Sequence, residues 1–191
     1  MTIHDLIVSR RTIRQYQARP IERPILERLV DAGRLAPSAA NMQPLEFYVV
    51  DDPGLRAEVF PGLKWAAYIQ PEGNPLPGQE PAAYVFVLVN TGIKEKNTEY
   101  DVGAAVENIC LSAWGEGIAS CWLISIERPK LAAVLGIPES YRIDSVVALG
   151  YPAETSKTEE FVDSPRYWKD AAGGFHVPKR KRADVIHVNR F

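Results

Sequence analysis

Cysteine and histidine are scarce in this sequence: Cys110 and Cys121 are its 2 thiols, and His4, His176 and His187 its 3 imidazoles, in 191 residues. Two cysteines are too few for a disulfide framework or a cysteine-built zinc site. The histidines are scattered without metal-ligand spacing, so no metal is expected. Both thiols read as small buried hydrophobes rather than a redox pair. No apolar run approaches the ~18 residues that crossing a bilayer requires. The first residues hold no basic stretch followed by an apolar core, so no signal peptide is expected and the chain is placed in the cytoplasm. Glycine and proline, 13 and 15 residues, fall short of a low-complexity composition. Four familiar signatures are missing as well: G-x-G-x-x-G after a first strand, the phosphate loop, G-x-S-x-G and H-E-x-x-H. What remains is one globular domain whose active site, if it has one, carries no obvious nucleophile or metal.

What is present is an uneven charge. The net charge of −2 resolves into +3 over residues 1–34, +4 over 176–191 and −9 between them. Basic ends on an acidic body are either two solvated tails or two halves of one anion site. The run Lys179-Arg180-Lys181-Arg182 could belong to a nucleic-acid-binding module, but such patches sit on basic domains, and the acidic body opposes that reading.

Hydrophobic periodicity outlines the elements. Thr2 with Asp5 three residues on marks a capped helix ending near Arg10. A second helix uses Pro24 in its first turn, repeats Ile25, Leu26, Leu29 and Val30, and stops at Gly33. Residues 37–44 read as a loop bounded by prolines, 47–50 as a strand, and 51–54 as the turn that closes it. Residues 61–81 carry 5 prolines and 3 glycines, a long loop of the kind that serves as a lid, with Trp65 and Tyr68 as candidate substrate contacts; core packing is the equal alternative for Trp65. The continuous apolar run 84–89 predicts a central strand. Residues 98–116 predict the central helix, 121–124 and 144–149 two further strands, and 128–135 a short helix. After residue 152 periodicity fades. The division is thus a core over 1–152 and an extended arm over 153–191, ending in a strand at 184–189. The acid pairs 51–52 and 159–160 read as solvated surface.

Arg10, Arg11 and Arg14 at a helix exit offer planar donor forks suited to phosphate, and Thr12 adds a hydroxyl. Taken in order, six segments resemble the nitroreductase family of FMN-dependent oxidoreductases: R-R-T-I-R-Q-Y at 10–16, A-P-S-A-A-N-M-Q-P at 36–44, D-V-G-A-A-V-E-N-I at 101–109, S-C-W-L-I at 120–124, L-G-Y-P at 149–152, and the tail K-R-K-R with I-H-V-N-R-F. The likeness covers nearly the whole chain.

The resemblance implies an α+β fold, a mainly antiparallel sheet wrapped by helices, in a homodimer with exchanged C-terminal arms and FMN at the interface. It implies that Arg10, Arg11, Thr12 and Arg14 contact the FMN phosphate, ribityl chain and pyrimidine edge, with Arg14 stabilising the N1–O2 edge. Pro37, Ser38, Ala39 and Asn41 would be the wall lent by the other subunit. Ile124 and Ser125 match the stretch whose backbone N–H meets flavin N5. Lys179 and Lys181, or Arg180 if the register slips by one, match a basic pair at the phosphate. The reaction implied is ping-pong hydride transfer from NAD(P)H to a small electron-poor acceptor, with no catalytic side chain because the flavin carries the chemistry. A dehalogenase-like, flavin-processing or non-catalytic flavoprotein is the alternative. Neither a nucleic acid nor a membrane is an expected partner.

Overall fold

The computed structural model describes residues 2–190; Phe191, the last residue of the tail motif, and Met1 lie outside them. Five α-helices and seven strands occur among the described residues. Helix α1 (Ile3–Ser9) starts on the predicted capping box: Asp5 N–H donates to Thr2 Oγ1 at 3.1 Å and Thr2 N–H donates to Asp5 Oδ2 at 2.8 Å. Its end is held by Arg11, whose guanidinium folds back onto the carbonyls of Arg10 and Val8.

The main sheet is antiparallel throughout, in the order β1-β2-β4-β3, from β1 (Leu45–Val50), β2 (Ala83–Asn90), β3 (Ala119–Leu123) and β4 (Tyr141–Gly150). Strand β2 is buried on both faces, which accounts for its unbroken apolar run. Val85, Val87 and Val89 face one core with α2 (Arg23–Arg34) and the central helix α4 (Glu99–Gly115). Tyr84, Phe86 and Leu88 face a second core with α3 (Pro53–Val59) and α5 (Arg128–Leu135). Helices α2 and α4 approach closely because residue 33 is glycine: a Cβ there would lie 2.8 Å from the Ile109 side chain.

Three expectations need correction. Residues 51–54 are not merely a turn: Asp52 accepts the Leu55 N–H at 2.9 Å and Pro53 opens α3. Aspartate followed by proline suits a turn and a helix start equally well, and the buried Val59 decides for the helix. Residues 184–189 form no strand; a short 3-10 turn (Arg182–Asp184) precedes Val185, Ile186 and Val188, which are exposed and enter neither core of this chain. The tail instead builds its own sheet, in which β7 (Phe175–Lys179) pairs parallel with β5 (Ser156–Glu160) and antiparallel with β6 (Trp168–Lys169). Phe175, fully buried, anchors it. The acid pairs are not simply solvated either: Asp51 pairs with Arg23 at 2.6 Å, Glu159 with His176 Nδ1 at 2.7 Å, and Glu160 with Lys181 at 3.1 Å. No helix among the described residues is long and apolar enough to cross a membrane.

Candidate functional site

The segment after α1 runs extended along the body and is pinned at several points. Ile13 N–H donates to Ser120 O at 3.1 Å, Tyr16 N–H to Gln79 O at 3.0 Å, and the Tyr16 hydroxyl to Ile13 O at 2.6 Å. The Tyr16 ring is wholly buried against Gly150, where a Cβ would stand 2.6 Å from it. Glu154, just beyond β4, accepts the N–H groups of Arg14 at 2.6 Å and Gln15 at 3.2 Å, and its other oxygen lies 3.2 Å from Lys169 Nζ. The backbone of residues 13–16 is thereby fixed to both the main sheet and the tail.

So held, Arg10, Arg11, Thr12 and Arg14 line one cavity of about 200 Å³ together with Tyr167, Val177 and Lys179. Both basic ends of the chain meet there. Val177 and Lys179 alternate onto one face of β7. Arg180 turns away and donates to Asp184 O at 2.7 Å, and Lys181, past the strand's end, pairs with Glu160. No carboxylate is among the lining residues. Glu107 on α4 reaches Arg10 at 3.4 Å. Arg14 rests on the rings of Tyr167 and Phe175, at 5.2 and 5.1 Å, with its buried Nε lacking an acceptor. Burial, and then the neighbouring Arg10, pull the Arg11 pKa below its ordinary value. Crowded guanidiniums with no carboxylate among the lining residues suit an anion of more than one charge, and a phosphate ester fits this donor set.

The 37–44 segment lies elsewhere in the chain. Pro37 and Ser38 line a separate cavity of about 160 Å³ against α4, and Asn41 is exposed. The segment is strained: Ala40, Asn41 and Gln43 have φ of 52°, 53° and 51°. Asp101 holds it, accepting the Ala39 N–H at 2.9 Å while Lys94 Nζ approaches the other oxygen at 2.7 Å. Asp101 was not singled out from the sequence, although an acid among the apolar positions of a helix was a signal. Burial raises its carboxyl pKa, but the Lys94 and Ala39 hydrogen bonds outweigh that and leave it below the ordinary value. A depressed folded pKa stabilises the fold above the unfolded value of about 4, and that contribution fades as the pH falls through the folded value. Asp101→Asn is therefore expected to lower stability at neutral pH, with the gap to wild type narrowing below about pH 4. Urea midpoints at several pH values check this; a gap independent of pH would contradict it.

Ile124 and Ser125 follow β3 on the exposed surface, outside the basic cavity. Their carbonyls are taken, by Arg128 Nη2 at 3.1 Å and Lys64 N–H at 3.1 Å, so N–H groups are what this stretch can offer a ligand. Trp65 is buried in the second core beside Phe60, ring centroids 5.9 Å apart, which makes it a packing residue rather than a lid. Tyr68 is exposed, and its ring lies 5.1 Å from that of Tyr167 at the basic cavity. Tyr167, Val177 and Glu154 were not identified from sequence; they lie where periodicity fades.

A four-stranded antiparallel sheet covered by helices on both faces, with a cation-lined cavity where the two ends of the chain meet, defines a nitroreductase-like α+β fold. Comparison with known proteins agrees. The nitroreductase family model matches residues 7–151. A protein of Archaeoglobus fulgidus, provisionally named NADH dehydrogenase/NAD(P)H nitroreductase, is 35% identical over 158 residues, covering 78% of this chain and 84% of that protein. An iodotyrosine deiodinase of Haliscomenobacter hydrossis is 28% identical over 176 residues, covering 79% of each. The solved structure of a Desulfovibrio desulfuricans protein provisionally named a nitroreductase, in complex with FMN, shares the fold with a TM-score of 0.70 at 22% identity, over 100% of this chain and 98% of that one. The chain belongs to the nitroreductase family.

Proposed function

We propose that this protein is an FMN-dependent oxidoreductase that takes hydride from NAD(P)H and passes it to an electron-poor acceptor, a nitroaromatic, quinone or activated alkene, by a ping-pong mechanism. The observation that carries the reading is the meeting of Arg10, Arg11, Arg14 and Lys179 in one cavity without a carboxylate among its lining residues. These cations and Thr12 would hold the FMN phosphate, and bound FMN would supply the hydride chemistry. Arg14, fixed on two rings, offers the positive charge that a reduced pyrimidine edge calls for. Ile124 and Ser125 offer backbone N–H groups for the ring. Pro37, Ser38, Ala39 and Asn41, distant in character from the basic cavity and held in a strained loop by Asp101, are suited to serve the site of a second subunit in a homodimer whose C-terminal arms, residues 153–191, complete the core of residues 1–152. Tyr68, exposed beside Tyr167, would touch the acceptor. Lys181, engaged with Glu160, is left out of this assignment.

The decisive experiment is on purified protein. It is expected to be yellow, to release FMN rather than FAD on denaturation, to bleach on anaerobic mixing with NADH or NADPH, and to give parallel initial-rate lines. A colourless preparation that refuses added FMN would overturn the cofactor assignment, and intersecting lines would overturn the shared pocket. The deiodinase relative supports a second reading, reductive dehalogenation of a haloaromatic at the same site; halide release under reducing conditions separates the two.

A further inference from the structure

A larger cavity than either described above lies between residues 17–20, α3 and the end of the proline-rich loop. It has a volume of about 430 Å³ and includes Arg19, Pro20, Pro53, Arg56, Glu80 and Ala82 among its lining residues. It shares no lining residue with the basic cavity. Its walls are tied down: Gln17 N–H donates to Tyr151 O at 2.8 Å, Arg19 N–H to Gln17 O at 2.7 Å, and Gly78 N–H to Glu80 Oε2 at 2.9 Å.

Two guanidiniums border this cavity, and neither has a carboxylate partner among the described residues. Arg19 lies over the Tyr151 ring, 3.7 Å from its centroid. Arg56 donates through Nη1 to Pro81 O at 2.7 Å, which fixes the plane of its fork, while its buried Nε has no acceptor. Elsewhere on the molecule Arg23, Arg28 and Arg34 each pair with an acid. Glu80 is the one acid among the lining residues, so the lining carries a net charge of +1. That balance suits a monoanion and disfavours a phosphate dianion, which Glu80 would repel. With Nη1 engaged and Nε buried, Nη2 is the Arg56 donor left for a ligand, and one charge-assisted contact from it, joined by Arg19, suits a carboxylate. An adjoining cavity of about 250 Å³ shares Pro53, Arg56 and Glu80 and adds Phe60 and Tyr84, whose rings offer a surface for the body of such an acid.

We infer that this cavity is a second small-molecule site, for a monocarboxylic acid with a compact apolar or aromatic body, its carboxylate held by Arg56 and Arg19. The inference is independent of the flavin reading and can be tested whether or not that reading survives. The probe is 3-phenylpropionate, titrated by calorimetry into the full-length protein as purified, with its neutral amide as comparison. Residue-resolved NMR shifts locate the contact. The acid is expected to bind with shifts at residues 17–20 and 53–60, and the amide at least about tenfold more weakly. Arg56→Gln and Arg19→Gln are each expected to weaken the acid by about tenfold or more. Glu80→Gln is expected to tighten it, a change of sign that loss of folding cannot imitate. Equal binding of acid and amide would overturn the proposal. So would binding unaffected by both Arg56→Gln and Glu80→Gln, or shifts confined to the Arg14 cavity.

Discussion

Lys179→Gln is expected to lower the affinity of the apoprotein for FMN by about ten- to hundredfold, the loss of one charge-assisted contact worth ~1.5–3 kcal/mol. Lys179 stands exposed at the end of β7 while lining the cavity that also holds Arg10, Arg11 and Arg14. Removal of its charge leaves the fold intact, with a stability change within about 0.5 kcal/mol. Lys181→Gln is the control: two residues on, it is bound to Glu160 outside the cavity, and its loss should leave FMN affinity unchanged. Wild-type affinity should also weaken as salt is raised, and less steeply in Lys179→Gln. Fluorescence titration of FMN into apoprotein checks all three. Equal losses from the two lysines would mean a diffuse field rather than a cradle, and no loss from Lys179 would remove the tail from the phosphate site.

The largest loss of stability is expected at Tyr16. Its ring is fully buried, its hydroxyl donates to Ile13 O at 2.6 Å, and Gly150 lies flush against it. Tyr16→Ala should cost ~3–5 kcal/mol through the cavity it leaves. Tyr16→Phe should cost only about 1 kcal/mol, the hydroxyl's hydrogen bond. Gly150→Ala drives a methyl to within 2.6–2.9 Å of the Tyr16 side chain and should cost ~1–3 kcal/mol. Two of the three close contacts are to ring atoms and the third, at 2.9 Å, is to Cβ, so Gly150→Ala should cost less, though not nothing, in the Tyr16→Ala background. Denaturant midpoints of the four proteins in that cycle measure it. Additive losses would show that Gly150 matters for some reason other than the ring. The contact also has a functional consequence, because residues 10–14 reach the cavity from the point that Tyr16 anchors.

Much of the core was legible because its signals are local. The Thr2–Asp5 capping box, the Pro24 start of α2, the apolar face of α4 and the apolar run of β2 each depend on residues a few positions apart. The failures share a cause. Asp52-Pro53 suits two local structures, and Val59's burial chose between them. Residues 184–189 have strand-like composition yet pair with no strand among the described residues, whereas Phe175 enters the core and draws β7 with it. Trp65 has the composition of a lid residue and the environment of a core residue. Asp101 reads as one acid on a helix, and its role exists only because Lys94 and Ala39 arrive beside it.

The amino-acid order alone determined the family and the α+β class, since six short motifs survive any ignorance of contacts, while the split of charge left two solvated tails and one shared cation-lined site both open. Which cations share that site was decided in three dimensions. Alternation along β7 turns Lys179 inward with Val177, and the strand's end releases Lys181 to Glu160. Pairing partners, strand ends and burial are properties of residues far apart in the chain, and only the folded arrangement supplies them.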